Sequence, residues 1–538
     1  MTDIDADLVI TGSGVAGALL AAELAAPGLR VAILEAGPAI DRQDAVARYW
    51  QALVKVPECA YPLDPAADHP VSDDPHHWYR QAGPDLFRST YLKQAGGTTW
   101  HWLGTTLRML PNDFRMRSLY GRGIDWPIGY DDLEPFYLRA ERELGVAGPA
   151  DFPDGPPRSG AYPMPEIPTS YLDRHVAARL AGSRFRVAAT PQARNSVDQD
   201  DRPACCGSAS CIPVCPVQAK YDATIHLDRA TAKGAVLHTE TTATHVDLAA
   251  DGTVAAIRFR RPDGSDGRAT GRVFVIAAHA IETPRLLLNS ASEAAPRGVA
   301  NGSDQVGRHL MDHPIQLSWA LAAEPVWPYR GPLSTSGIET LADGTFRKDR
   351  GAFRIEIGND GWGWPTGAPV TLAADLARQG LRGAALDAAL RDQASRHLRL
   401  AALTEQLPDP DSRVTLDETE RDIYGVPLPR LAYRVDGYAR DAMAAARAAH
   451  AEIFGLLGAT AVTHSPEAQG AGHIIGTARM GDDPAASVVD ADLRSHQHRN
   501  LFLLGSAVFP TAGTANPTLT IAALTLRAAA AVRDGLAG

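Results

Sequence analysis

The sequence predicts an α/β protein whose nucleotide-binding domain is assembled from separated segments, and three observations carry that reading. The chain opens on one βαβ unit, closes on another strand–helix pair, and is mixed in between. Residues 7–11 form a short apolar strand pattern, a glycine turn follows, and an alanine- and leucine-rich helix pattern covers 15–27. A second strand pattern at 30–34 is stopped by Glu35-Ala36-Gly37-Pro38. Residues 40–90 are rich in Pro, Asp and His without periodicity and read as loops, while 131–145 reads as an acidic helix. The Pro/Gly-rich stretch 146–170 reads as a crossover between domains. A strand at 272–277 leads into a helix beginning near Thr283-Pro284. Residues 366–400 and 436–457 read as amphipathic helices, with strands at 413–416 and 431–435 between them. The last segment gives a strand at 501–504, a Gly/Ser/Thr loop and a helix from 517 onward.

Composition narrows the function classes. The 538 residues are 45% hydrophobic and 21% charged, values of an ordinary globular enzyme. The formal charge of −11 leaves no basic surplus to neutralise phosphates, which argues against a nucleic-acid scaffold. No uncharged apolar run is long enough to span a bilayer, and the first residues lack a basic start, an apolar stretch and a cleavage site. The expectation is a chain with neither a membrane span nor an export signal of its own.

Gly12-Ser13-Gly14-Val15-Ala16-Gly17 is a G-x-G-x-x-G between strand and helix. Gly12 permits the tight turn, Gly14 lets backbone amides approach a pyrophosphate, and Gly17 lets helix and strand pack closely. The helix N-terminus then presents its partial positive charge to phosphates. Glu35 closes the second strand, where an acid accepts ribose hydroxyls and disfavours a 2′-phosphate. The motif alone does not separate NAD from FAD. In Gln94-Ala95-Gly96-Gly97-Thr98-Thr99-Trp100-His101-Trp102, paired glycines followed by small hydroxyl residues would let backbone lie against a flat ring; an aromatic-rich turn has the same composition.

The opening βαβ unit, Gly96–Trp102, Ala280–Leu288, the segment Val306-Gly307-Arg308-His309-Leu310-Met311-Asp312-His313-Pro314, His473–Thr477 and Gly513–Thr518 together resemble the glucose–methanol–choline (GMC) oxidoreductases. These matches run in order from residue 8 to 528. The resemblance implies FAD and a two-domain, glucose oxidase-like architecture: a Rossmann-like FAD-binding domain from 1–160, 203–312 and 465–538, and a mixed α+β substrate domain with an antiparallel sheet from 161–202 and 313–464. On that resemblance Val15, Ala16, Ala36, Thr98, Thr99, His101, Trp102, Val246, Ala278, Ser506, Asn516 and Thr518 join the glycines and Glu35 as FAD-binding positions. The cysteine segment and Asp125-Trp126-Pro127-Ile128 resemble, more narrowly, the large subunits of bacterial FAD-dependent glucose, fructose, sorbitol and gluconate dehydrogenases.

Four of the five cysteines fall in Cys205-Cys206-Gly207-Ser208-Ala209-Ser210-Cys211-Ile212-Pro213-Val214-Cys215-Pro216. Disulfides here would be short-range, and a bridge between adjacent cysteines is strained. Structural zinc draws a second, distant ligand pair, which the sequence lacks. Closely spaced thiolates ending in C-x₃-C-P match one ferredoxin spacing, so an iron–sulfur cluster is the favoured reading. The resemblance sharpens it to a three-iron (3Fe-4S) cluster in 203–222 held by Cys205, Cys211 and Cys215, with the choice between Cys205 and Cys206 open. Cys59 reads as a small buried residue.

Alcohol oxidation needs a base for the hydroxyl proton, and a neutral imidazole suits that task. Among 17 histidines, His473 stands out because Gly472-His473-Ile474-Ile475-Gly476-Thr477 resembles the family's active-site segment. Asn516 matches the position of the family's second His or Asn. Followed by Pro517 before an apolar helix pattern, it also reads as a helix N-cap. His309 and His313 read as structural, and His69, His76 and His77 as loop residues. Two departures weaken substrate assignment by analogy: Gly472 and His279 stand where sugar dehydrogenases of this branch commonly carry asparagine. The resemblance implies a sugar or polyol dehydrogenase relaying electrons through the cluster to a cytochrome or quinone rather than to oxygen or NAD. It also implies a small signal-bearing subunit, a multihaem cytochrome c subunit and a place at the periplasmic membrane face. The alternatives are a flavin oxidase or a non-redox FAD lyase of the same family.

Overall fold

The computed structural model describes residues 3–52, 60–61, 79–89, 91–359 and 369–538; Cys59, His69, His76 and His77 lie outside the described residues. At its centre is a five-stranded parallel sheet in the order Leu501–Leu503, Val273–Ile276, Leu8–Thr11, Val31–Leu34, Val236–His238. The first four strands are buried on both faces, as a parallel sheet covered by helices requires. The helices Val15–Leu24, Thr224–Ala232 and Thr518–Ala537 pack around it. A β-carbon on Gly17 would sit 1.9 Å from the Gly12 carbonyl oxygen, and one on Gly12 2.4 Å from that of Ala277. Gly12 has φ +97°, so glycine is required there on both counts. The turns after Thr11, Leu34, Ile276 and Leu503 all open at the carboxyl ends of the strands, where open α/β sheets bind ligands.

A second layer is a six-stranded antiparallel sheet in the order Thr460–His464, Ile315–Leu321, His397–Thr404, Phe353–Ile357, Ser336–Ile338, Val187–Ala189. Its back is covered by the helix Gly437–Leu456, whose Ala446, Ile453 and Phe454 share a core with Leu398, Leu400 and Ile355. Strand alternation turns Ile315, Leu317, Glu356, Arg399, Ala401 and Leu403 the other way, toward the nucleotide cleft. Register sets Leu317 and Glu356 on either side of Ala401. The mixed middle of the chain therefore supplies an antiparallel roof over the parallel sheet's ligand edge.

The structure departs from the sequence reading in several elements. Part of the stretch read as loop is the helix Arg42–Gln51, capped by the Asp41 carboxylate accepting from the Asp44 amide at 2.9 Å. Only Ala45 of that helix is buried, so it carries no apolar periodicity to read. Arg80–Gln81 adds a short strand parallel to Pro427–Ala432, and that partner ends at Ala432, short of the predicted 435. Residues 369–396 form two helices, Pro369–Arg378 and Gly383–Arg396, separated by left-handed glycines at 380 and 383, and the region then becomes strand at His397.

The helix expected near Pro284 begins earlier and spans His279–Asn289, with Pro284 inside it. Pro284 has no N–H for the carbonyl of Ala280, a loss that would ordinarily break the helix. The Thr477 hydroxyl donates to that carbonyl instead, at 2.6 Å, with both residues fully buried. Thr477→Val is therefore expected to leave a buried carbonyl unpaired and to cost about 1–3 kcal/mol, read as a lower denaturation midpoint with unchanged slope.

Candidate active site

A single cavity of about 620 Å³ runs from the Gly12–Ala16 turn to the roof sheet. Its wall includes Gly12, Gly14, Val15, Ala16, Glu35, Ala36, Gly97, Thr98, Thr99, His101, Trp102, Ala278, Ser506, Asn516 and Thr518. The sequence reading thus brought together positions from five distant segments. Three predicted positions stand apart from the cavity wall. Gly17 is the packing glycine already described. Gly96 supports the turn, adopting φ +91° and donating its N–H to the Ser13 hydroxyl at 3.1 Å. Val246 is buried in the core with its N–H taken by Ser290 Oγ at 2.8 Å, and the wall beside it is made by residues 241–244.

The cleft fits the dinucleotide end of FAD. A β-carbon on Gly14 would meet no heavy atom within 4 Å, so this turn faces open space where backbone amides can approach a pyrophosphate. Gly97 lies so close that a β-carbon there would stand 3.1 Å from the Gly14 α-carbon, bringing the two glycine turns together over the same space. Thr11 Oγ1 is buried at the same cleft without a protein partner among the described residues. Glu35 is held by the Ser13 and Gly37 amides at 3.1 and 2.9 Å, and burial, partly offset by those donors, raises its carboxyl.

At the far end His473, Asn516 and Gly472 face the roof residues. His473 Nε2 lies 3.1 Å from Asn516 Nδ2, and its Nδ1 lies 2.7 Å from His313 Nδ1. Burial first, then the neighbouring His313 and Arg354, pushes the His473 imidazole well below its ordinary range, so it is neutral at neutral pH. Asn516 Oδ1 has no protein partner among the described residues, which leaves one acceptor at this spot for a ligand hydroxyl. The helix begins at Thr518 with Pro517 preceding it, and no Asn516 side-chain cap forms: the amide goes to the imidazole instead.

The sequence reading missed the group that holds His473 and His313. Asp312 is buried, and its carboxylate accepts from the His313 amide at 2.7 Å, the His473 amide at 3.0 Å, the Ala471 amide at 3.3 Å and the Ser89 hydroxyl. Burial, opposed by those donors, pushes its carboxyl up to about 6. His313 is buried too, with its Nε2 3.0 Å from the Gly513 carbonyl oxygen. Lys93 and Glu282, at 3.1 Å, add a charge pair along the middle of the cavity. The signal for Asp312 was its adjacency to His313 in the recognised segment; Ser89, Lys93, Glu356 and Arg399 belong to no motif recognised there.

Cys205 is half-buried, Cys211 and Cys215 are buried and Cys206 is exposed, all as free thiols. The Cys205 thiol is raised, first by burial and in smaller part by Cys211 and Cys215, which lie near enough to be felt electrostatically. Among the described residues, no three His, Cys, Asp or Glu side chains are gathered tightly enough for a single metal ion. The loop lies against the cleft. Ile212 lines the cavity, and buried Lys220 donates to the Trp100 and Trp102 carbonyls, both at 2.7 Å.

A dinucleotide-binding oxidoreductase with a buried, neutral imidazole at the end of its cleft is the class that this fold and this site define. The chain belongs to the GMC oxidoreductase family: residues 69–315 and 408–525 match its two family models. It is therefore an FAD-dependent oxidoreductase acting on CH–OH groups. It is 38% identical to the fructose dehydrogenase large subunit of Gluconobacter japonicus, over 99% of this chain and 98% of that protein. It is 30% identical to a 6'''-hydroxyparomomycin C oxidase of Streptomyces lividus, over 99% and 92%. The fold is that of pyridoxine 4-oxidase from Mesorbium loti, with TM-score 0.65 at 20% identity over 98% of this chain and 99% of that one.

Gly14 has φ −66°, which alanine adopts freely, so Gly14→Ala adds a methyl to the cleft without backbone strain. The variant is expected to unfold, FAD-free, within about 0.5 kcal/mol of the parent while retaining less flavin on gel filtration.

Proposed function

We propose that this chain oxidises a sugar or sugar alcohol, with His473 taking the hydroxyl proton, and passes the electrons through a 3Fe-4S cluster to a cytochrome or quinone. The observation that carries the reading is the neutral, hydrogen-bonded His473–Asn516 pair at the end of a cavity that begins at the Gly12 turn. FAD, when bound, accepts the carbon's hydrogen with its electron pair as the alcohol becomes a carbonyl. The chain supplies the rest. His473 Nε2 receives the O–H proton, Asn516 Oδ1 orients the hydroxyl, and the roof presents Glu356 and Arg399 beside apolar Ile315 and Leu317. That mixture suits a small molecule with several hydroxyl groups. A fructose dehydrogenase large subunit among the relatives supports the same substrate class, and its name as a large subunit supports a partner subunit.

His473→Asn is expected to keep FAD and to lose anaerobic flavin bleaching by about 100- to 10,000-fold across a panel of fructose, glucose, gluconate, sorbitol and glucosides. Bleaching at the parental rate would remove His473 from the chemistry. An oxygen-consuming turnover equal to that with a cytochrome acceptor would favour the oxidase reading, which the paromomycin-type relative keeps in play.

The cluster reading is supported by three thiols at 205, 211 and 215 that are buried or half-buried on one loop, a buried cation at Lys220 nearby, and the contact of that loop with the flavin cleft. Three thiolates suffice for a three-iron cluster, which spreads its ligands more widely than a single ion does. Cys211→Ser is expected to lose bound iron and the cluster's paramagnetic signal while substrate still bleaches the flavin; Cys206→Ser keeps both. Anoxically prepared protein with zinc, or without iron, would overturn the relay. We further place the chain at the periplasmic face of the membrane, exported with a small signal-bearing subunit and served by a multihaem cytochrome c. Copurification of all three on coexpression supports this placement. Among the described residues no helix is long and apolar enough to cross a membrane.

A further inference from the structure

The buried histidine behind the base is not accounted for by its packing alone. His313 lies outside the cavity wall and is fully buried, so it touches neither end of the ligand space. Its ring meets that of His473 edge-on, with centroids 5.0 Å apart at 84°.

We propose that His313 is a positioning residue whose bare Nδ1 fixes the tautomer of His473, so that His473 presents a lone pair rather than an N–H to the substrate hydroxyl. The proposal rests on the reading of His473 as base. The assignment runs from one end that admits no choice. His313 Nε2 lies 3.0 Å from the carbonyl oxygen of Gly513, which can only accept, so Nε2 carries the hydrogen. Burial pushes the His313 imidazole down to about 4, so the ring is neutral and its Nδ1 is bare. His473 Nδ1 stands 2.7 Å from His313 Nδ1 and must donate to its lone pair. His473 is neutral as well, which leaves Nε2 without hydrogen, and the Asn516 amide donates to it at 3.1 Å. The opposite tautomer would face two lone pairs at 2.7 Å. Every link from the Gly513 carbonyl to the Asn516 amide therefore runs in one direction.

The same geometry serves the reaction. When Nε2 takes the hydroxyl proton the imidazolium has two N–H groups, and the one on Nδ1 already has its acceptor. Nothing has to turn at Nδ1; at Nε2 the Asn516 amide gives up the lone pair to the substrate hydroxyl. The His313 ring is itself pinned, because its backbone amide donates to Asp312, the carboxylate that also receives the His473 amide.

The test compares two variants that split the ring's functions. In His313→Asn the side-chain oxygen can take the place of Nδ1 and accept from His473. In His313→Gln the longer amide can take the place of Nε2, keep the bond to Gly513 and leave His473 Nδ1 without its acceptor. Anaerobic flavin reduction is followed in holoenzyme, with FAD content measured for each. We expect His313→Gln to lower the limiting rate about 100-fold or more with the half-saturating substrate concentration little changed, and His313→Asn to restore most of the rate. Equal rates for the two variants, or a loss confined to substrate affinity, would overturn the proposal. Should the glutamine variant fail to retain FAD, the asparagine variant decides: holoenzyme within an order of magnitude of the parental rate sustains the proposal, and holoenzyme as slow as His473→Asn overturns it. If His473→Asn itself still reduces flavin, the base reading fails. If His473→Asn is inactive and both His313 variants run at full rate, this proposal alone fails.

Discussion

One buried carboxylate sets the geometry on which the active site depends. Asp312 collects donors from three stretches that lie far apart in sequence, at Ser89, at His313, and at Ala471 and His473. Each hydrogen bond to a charged acceptor is worth about 1.5–3 kcal/mol, and leaving such a carboxylate without its donors costs more. The two histidines are thus fixed through their backbones before their rings interact. Ser89 also accepts from the Gly472 amide at 2.8 Å, which closes the loop just ahead of His473. A base whose main chain is held at this many points loses little entropy when it meets substrate, which is how a scaffold turns an ordinary imidazole into a positioned one.

The flavin cleft and the cysteine loop share their supports in a similar way. Lys220 is fully enclosed, and burial lowers its ammonium to about 8, opposed by the nearby Cys211 and Cys215. Its hydrogen bonds go to carbonyls of the Trp100–Trp102 turn, whose neighbours Gly97–Thr99 line the cleft. From the other side Arg42 donates to the Cys215 carbonyl at 3.1 Å, pairs with Asp222 at 2.6 Å and covers the Trp100 ring at 4.4 Å. A cation between thiols and carbonyls compensates negative charge wherever it gathers on that loop. The turn that shapes the cleft and the turn that carries the cysteines cannot shift independently.

What was legible in the sequence is what depends on local chemistry. The glycine turn, the two flanking strands and Glu35 announce themselves because only certain residues satisfy the backbone there, as the 1.9 Å approach at Gly17 shows. Family resemblance extended this to His473 and Asn516. What stayed hidden depends on partners distant in sequence. The helix Arg42–Gln51 buries one residue and so leaves no pattern. Pro284 reads as a helix start until Thr477, 193 positions later, proves to take over its missing donation. Asn516 followed by proline reads as a cap, and only His473, 43 positions earlier, diverts its amide. Asp312 accepts from nearby and remote groups alike, and neither composition nor spacing reveals a hub of that kind.

The departure at Gly472 gains meaning from the same geometry. Its φ of +71° lies in the left-handed region, which asparagine tolerates better than most residues, so the asparagine of related sugar dehydrogenases could adopt this backbone. A β-carbon here would meet nothing within 4 Å, and the residue lines the cavity beside His473. The glycine therefore answers no steric demand from its neighbours. It leaves unfilled a volume that an amide side chain would occupy, next to His473 in the cavity that Glu356 and Arg399 of the roof sheet also line. Removing that amide takes a donor and an acceptor from the reacting end and returns their space to the ligand. On the proposed function, discrimination among polyols then falls to the roof, where register sets a carboxylate and an apolar leucine on opposite sides of one small alanine.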